Sequence, residues 1–153
     1  MRKSATLITG ANGEIGHGLI TTLYEKNYRN IVAMDLNQPD DSITSYCSEE
    51  IIGNILDIEL IDQLNGEYEI DTIYHLAALL STRAEFAPQS AHDVNVGGTM
   101  NLLNLALEQG RSQGKQIKFF FPSSIAVYGL KNLEEKKFAG AIKENSYRNP
   151  STM

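Results

Sequence analysis

Cys47 is the only cysteine of the chain, which excludes an internal disulfide and a cysteine-rich metal site and fits a reducing cytosol. Basic charge is also scarce: 13 Lys and Arg against 19 Asp and Glu leave a formal net charge of -6. A nucleic-acid surface needs clustered cations to neutralise phosphates, so no nucleic-acid partner is expected. The Lys136-Lys137 pair is offset by Glu134 and Glu135 and reads as a solvated loop. No apolar run approaches the roughly 18 residues that span a bilayer. Met1-Arg2-Lys3-Ser4 enters the first strand at once, without the apolar stretch of a signal peptide. These absences predict a cytoplasmic protein with no membrane partner. What is present, 153 residues of which 42% are hydrophobic, predicts one globular domain over 1–153 with enough chain for a core.

The stretch with chemical content is Thr9-Gly10-Ala11-Asn12-Gly13-Glu14-Ile15-Gly16, which follows the apolar run Ala5-Thr6-Leu7-Ile8 and opens onto an amphipathic segment. A pyrophosphate binds best where backbone N–H groups and the positive end of a helix dipole point at it, and a Cβ at the turn would hold the backbone away. Strand, glycine turn and helix supply that context. The spacing Gly-x-x-Gly-x-x-Gly differs from the common Gly-x-Gly-x-x-Gly. Asn30-Ile31-Val32-Ala33-Met34 reads as a second strand buried on both faces, and it ends at Asp35. An acidic residue about 20 positions beyond the turn is placed to accept hydrogen bonds from an adenosine ribose, and it would repel a 2′-phosphate. That favours NAD over NADP.

Residues 37 to 50 read as a loop or a short irregular piece, and Glu50–Ile55 as the third strand. Asp57 then either meets an adenine amino group or caps the helix that runs through Leu64, with equal support for each. Thr72–Ala77 reads as a central fourth strand, in which His75 is expected to be a core histidine. The small residues Ala77 and Ala78 would let a flat ligand lie against the strand end. The longest helix is expected from Pro88 to about Gly110, with Val96, Met100, Leu103 and Leu107 on its main apolar face and a second apolar side beside it. Asn95, near its start, is a candidate cofactor contact or structural hydrogen-bond donor. Gln116–Pro122 is the fifth strand and delivers the hydroxyl pair Ser123 and Ser124 to the ligand side of the sheet. No Gly-x-Ser-x-Gly elbow surrounds Ser124, so a Ser-His-Asp hydrolase is not indicated, and no metal site is expected. Five strands alternating with helices predict an α/β, three-layer, doubly wound parallel sheet in the order 3-2-1-4-5, with the ligand at the switch point between strands 1 and 4.

The glycine turn, Asp35, Leu56-Asp57-Ile58, His75-Leu76-Ala77-Ala78, the Asn95-Val96-Gly97-Gly98-Thr99-Met100-Asn101 helix start and Ser123–Gly129 occur in one order. In that order the chain resembles the extended short-chain dehydrogenase/reductases, the NAD-dependent epimerase/dehydratase family with its Rossmann-type fold. Ala78–Ser81 and Pro150–Met153 look most like its L-threonine 3-dehydrogenase branch. The resemblance implies NAD held by Gly10, Asn12, Gly13, Glu14, Ile15, Gly16, Asp35, Leu36, Asp57, Ile58, Leu76, Ala77, Ala78, Asn95 and Ser123. It assigns Ser124 a catalytic role on the substrate oxygen, with Ser81 a further substrate contact. The small-molecule substrate would be an amino acid or a nucleotide sugar, oxidised at a hydroxyl carbon by hydride transfer to nicotinamide. The family's Tyr-x-x-x-Lys would begin one residue past Met153, so the chain reads as truncated before that motif and without useful turnover of its own. A non-catalytic NAD-binding module or partner subunit is the alternative expectation. The same cut implies an open sheet edge and a homo-oligomer formed through it.

Overall fold

The strand β1, Lys3–Thr9, is buried from Ala5 to Thr9, as the unbroken apolar run requires of a strand covered on both faces. In the computed structural model, residues 1–129, 133–138, 140, 141 and 143 are described, and they fall into two compact units, Met1–Phe121 and Pro122–Met153. The first unit holds the sheet. After β1 come α1 (Glu14–Glu25), β2 (Ile31–Asp35), α2 (Asp41–Thr44), β3 (Glu49–Ile52), α3 (Ile58–Glu67) and β4 (Tyr68–His75). Then follow α4 (Ser81–Phe86), α5 (Pro88–His92), a π-helical turn over Asp93–Gly98, α6 (Thr99–Gln113) and β5 (Lys118–Phe120). The second unit contains a 3-10 turn at Ile125–Tyr128 and a short helix, α7 (Leu133–Phe138), where the charges at 134–137 suggested a loop.

All four strand pairs are parallel, in the order β3-β2-β1-β4-β5. Parallel neighbours need crossovers, and the intervening helices provide them on both faces of the sheet. Alternate residues separate the two sides. Leu7, Val32, Met34 and Ile73 pack with Ile61 and Leu64 of α3 and with Leu102 and Leu105 of α6. Ile8, Ile31 and Ala33 pack with Ile20 and Leu23 of α1. The chain runs outward from β1 to β3 and then returns to the other side of β1 as β4. A crevice therefore opens between β1 and β4 at the carboxyl ends of the strands.

Several element ends differ from expectation. The third strand stops at Ile52, and Gly53 donates its N–H to the Asp35 carbonyl at 2.8 Å as the last bond of the β2–β3 ladder; Ile55 still reaches the core. The fourth strand starts four residues early, at Tyr68, and ends at His75. The long helix is interrupted by the π turn and closes at Gln113, capped by Gly114 in the left-handed region at φ 65°. Its buried face is Leu102, Leu105 and Gln109, while Val96, Met100 and Leu107 are exposed. The expected main face is thus the outer one. An apolar surface wider than one stripe does not say which part faces the sheet.

Gln109 replaces an apolar residue on that buried face for a backbone reason. The β1–β4 register slips between Ala5 and Thr6, whose partners are Ile70 and Thr72, and β5 pairs with β4 only from Thr72 onward. The backbone of Ile70 is completed by α6 instead: its N–H donates to Gln109 Oε1 at 2.9 Å and its carbonyl accepts from Gln113 Nε2 at 2.9 Å. Gln109 Nε2 also donates to the Tyr68 carbonyl at 3.0 Å. Among the described residues no helix is long and apolar enough to cross a membrane.

Candidate functional site

The turn after β1 is shaped by two glycines whose Cβ positions are occupied. Gly10 has φ 69°, and a Cβ there would lie 2.6 Å from Ala77 N and 2.7 Å from Leu76 C. The glycine lets the β1 turn press against the end of β4, closing the floor of the crevice. At Gly16 a Cβ would lie 2.6 Å from the Gly10 carbonyl oxygen, so the first turn of α1 sits directly on the loop. Gly13, the residue before α1, is extended at φ -80°, ψ 163° and offers no side-chain cap. The N–H groups of the first turn of α1 have no side chain to satisfy them, and the positive end of the helix dipole points the same way. Such an arrangement favours an anion.

Asp35 ends β2 beside this turn. Its Oδ2 accepts the Asn12 N–H at 3.0 Å and its Oδ1 accepts the Asn37 N–H at 3.2 Å. Each oxygen keeps a second lone pair for a ligand hydroxyl. Asn12 carries the connection further: Oδ1 accepts from Asp40 N at 3.0 Å and lies 3.2 Å from His17 Nε2, while Nδ2 donates to the Gln38 carbonyl at 3.2 Å. The turn after β1 and the loop after β2 are therefore one hydrogen-bonded unit. Sequence reasoning named Asn12 and Asp35 separately and missed the link, because Asn12 side chain to residues 38 and 40 is a long-range pairing without a local signal.

Asp57 caps α3, accepting the Leu60 N–H at 3.2 Å through Oδ1. Of the two expected roles this is the one its hydrogen bond occupies; Oδ2 has no part in the cap. Ile15, Leu36, Ile58 and Leu80 are 67%, 62%, 53% and 76% exposed. They come just after β1, β2, β3 and β4 in turn, so large apolar side chains are left uncovered at the carboxyl edge of the sheet, the side on which ligands bind in such folds. Glu14 shares the first turn of α1 with Ile15. Leu76 continues past β4 and donates its N–H to the Thr9 carbonyl at 3.0 Å, with Ala77 against Gly10 and Ala78 exposed beyond it.

Asn95 lies in the π turn, and its amide is engaged at both the oxygen and the nitrogen. Leu79 N–H donates to Asn95 Oδ1 at 2.8 Å, and Asn95 Nδ2 donates to the Leu79 carbonyl at 3.0 Å. Its structural alternative is the one occupied: it holds the loop after β4. His75 is buried, with Thr9 Oγ1 at 2.9 Å from Nδ1 and Thr99 Oγ1 at 2.9 Å from Nε2. Burial pushes its pKa below the ordinary value. Ser81 opens α4. Ser123 and Ser124 belong to the second unit, where the Ser124 carbonyl accepts the Val127 N–H at 3.1 Å and starts the 3-10 turn. Residues 150–153, used above for the branch likeness, lie outside the described residues.

Comparison with known proteins agrees with this architecture. The family model described as GDP-mannose 4,6 dehydratase matches residues 7–150. An uncharacterised epimerase/dehydratase of Staphylococcus saprophyticus is 37% identical over 126 residues, which is 80% of this chain and 37% of that protein. Among solved structures, a monomeric L-threonine 3-dehydrogenase from a metagenome, in its apo form, superposes with a TM-score of 0.68 at 41% identity, over 80% of this chain and 37% of that one. A UDP-glucose 4-epimerase gives a TM-score of 0.74 at 25% identity, over 97% of this chain and 42% of that one. The chain thus spans about two fifths of the length of these relatives. With residues 7–150 of its 153 matched by the family model, the chain belongs to the GDP-mannose 4,6 dehydratase family, within the epimerase/dehydratase group of the short-chain dehydrogenase/reductases.

Proposed function

We propose that this chain is the NAD-binding portion of an NAD-dependent oxidoreductase. The observation that carries the reading is the pairing of an uncapped α1 N-terminus with a turn in which a Cβ at Gly10 or Gly16 would collide with backbone. A pyrophosphate fits there, against the backbone from Asn12 to Gly16. Asp35 takes the adenosine ribose hydroxyls, with Leu36, Asp57 and Ile58 around the adenine and Leu76, Ala77 and Ala78 beneath the rest of the dinucleotide. Bound nicotinamide would supply the acceptor for a hydride from a substrate hydroxyl carbon. On the family resemblance Ser124 hydrogen-bonds the substrate oxygen, Ser81 touches the substrate and Ser123 the cofactor.

The carboxylate of Asp35 sets the cofactor preference, because a 2′-phosphate would meet a fixed negative charge. Titration of the chain with each dinucleotide should show tighter binding of NAD than of NADP. Asp35→Ala should weaken NAD by about tenfold, the worth of one charge-assisted hydrogen bond, and narrow the gap. Equal affinities for the two, both unmoved by Asp35→Ala, would remove the assignment.

For the substrate, the 41% identity to an L-threonine 3-dehydrogenase favours an amino-acid hydroxyl over a nucleotide sugar. Stoichiometry separates the two in the whole protein: a dehydrogenase accumulates NADH, whereas an epimerase returns the hydride and leaves the cofactor balance unchanged.

A further inference from the structure

A chain of hydrogen bonds crosses the floor of the crevice from one wall to the other. The Thr99 hydroxyl has one proton, and it is donated to the Asn95 carbonyl at 2.7 Å. Its contact with His75 Nε2 must then use an oxygen lone pair, so Nε2 carries the ring proton. Nδ1 is left as the acceptor and takes the Thr9 hydroxyl proton. The neutral ring is thereby fixed in one tautomer, edge-on to Phe119 and beside Phe121. Asn95 forms the far end, gripping both backbone polar groups of Leu79.

Thr9 is the residue before Gly10, and Leu79 is the third residue beyond Leu76. The relay therefore joins the base of the glycine turn to the loop after β4, the two segments between which the crevice opens. We propose that His75 and Thr99 are positioning residues: through the Asn95 clamp on Leu79 they set the loop of residues 77–80 relative to the glycine turn, and so shape the half of the crevice that takes the nicotinamide nucleoside. This rests on the dinucleotide reading of the site. Asp35 draws the adenosine to the β2 side and the turn holds the pyrophosphate, which leaves the other nucleoside the β4 side.

The test compares Thr99→Val, which keeps the shape and removes the hydroxyl, with Thr99→Ser, which restores it. In wild type, the nitrogen-15 signals of the His75 ring should show a protonated Nε2 and an acceptor Nδ1, and the Leu79 amide should exchange slowly. Thr99→Val should speed Leu79 exchange at least about tenfold while the amides of Leu7 and Val32 keep theirs. The same variant should weaken NAD by about tenfold and leave AMP, which carries only the adenosine half, unchanged. Thr99→Ser should restore both. A merely structural role would lower NAD and AMP together, and that result, or an unchanged Leu79 exchange rate, overturns the proposal. If Thr99→Val does not fold, the wild-type ring decides: an Nδ1–H tautomer, or two tautomers in rapid average, overturns it as well. Failure of wild type to bind either nucleotide would instead remove the dinucleotide reading, while ring tautomer and Leu79 exchange still decide whether the relay exists.

Discussion

Protonating His75 would put an N–H on Nδ1, against a Thr9 hydroxyl that already points its own proton there. The ring lies below its ordinary pKa of 6.5 because it is buried, and no carboxylate offsets that. In the unfolded chain it titrates near 6.5. Above about pH 6.5 neither state holds the proton, and the neutral relay contributes its full stability; below it the unfolded chain takes up the proton first, so stability is lost as pH falls toward the folded pKa. His75→Gln removes this term. The variant should melt below wild type at neutral pH, and the gap should narrow between about pH 7 and pH 5. Melting curves whose separation stays constant over that range would contradict the argument. The buried role of His75 was legible from its apolar neighbours, since a lone histidine inside a strand has little room to act on a ligand. Its two threonine partners were not, because residues 9 and 99 meet only when β1, β4 and α6 assemble.

Among the elements, α6 shows how far periodicity reaches. The existence of the helix follows from the sequence, but its end, expected at about Gly110 and found at Gln113, and its buried stripe do not. The helix is apolar on more than one side, and Gln109 is buried where pattern reasoning looks for Leu. The reason is that β5 pairs with β4 only from Thr72 onward, which leaves backbone groups of Ile70 that the side-chain amides of Gln109 and Gln113 complete. Gln109→Leu keeps the volume and orphans the Ile70 N–H in the core. A buried donor without a partner costs about 1–3 kcal/mol, and the Tyr68 carbonyl loses a donor too, so the variant should lose about 3 kcal/mol in a denaturant titration. A loss below about 1 kcal/mol would mean that the amide is dispensable. Strand order was far more accessible than this detail. Each strand reads as a short apolar run between helical patterns, and parallel strands joined by crossovers leave few arrangements. Strand ends were displaced by a few residues, because where pairing stops depends on the neighbouring strand and not on the local apolar run.

At the scale of the whole molecule, apolar surface is left over outside the crevice as well. Val96, Met100 and Leu107 recur at helical spacing on the side of α5–α6 away from the sheet, and all three are exposed. Phe120 and Phe121 are exposed at β5, which is an edge of the sheet among the described residues. An apolar helix face and an open edge each favour a second copy of the chain, the first by burying area and the second by strand pairing. Light scattering should give a mass that rises with concentration above that of one 16.9 kDa chain. Met100→Lys with Leu107→Lys places two charges on the exposed face without touching the buried one, and should lower the mass toward the monomer while leaving the melting temperature within about 1–2 °C, since surface changes of this kind stay within about 0.5 kcal/mol. If wild type stays at the monomer mass at high concentration, the face does not pair. If the double variant associates as wild type does, the contact runs through the β5 edge.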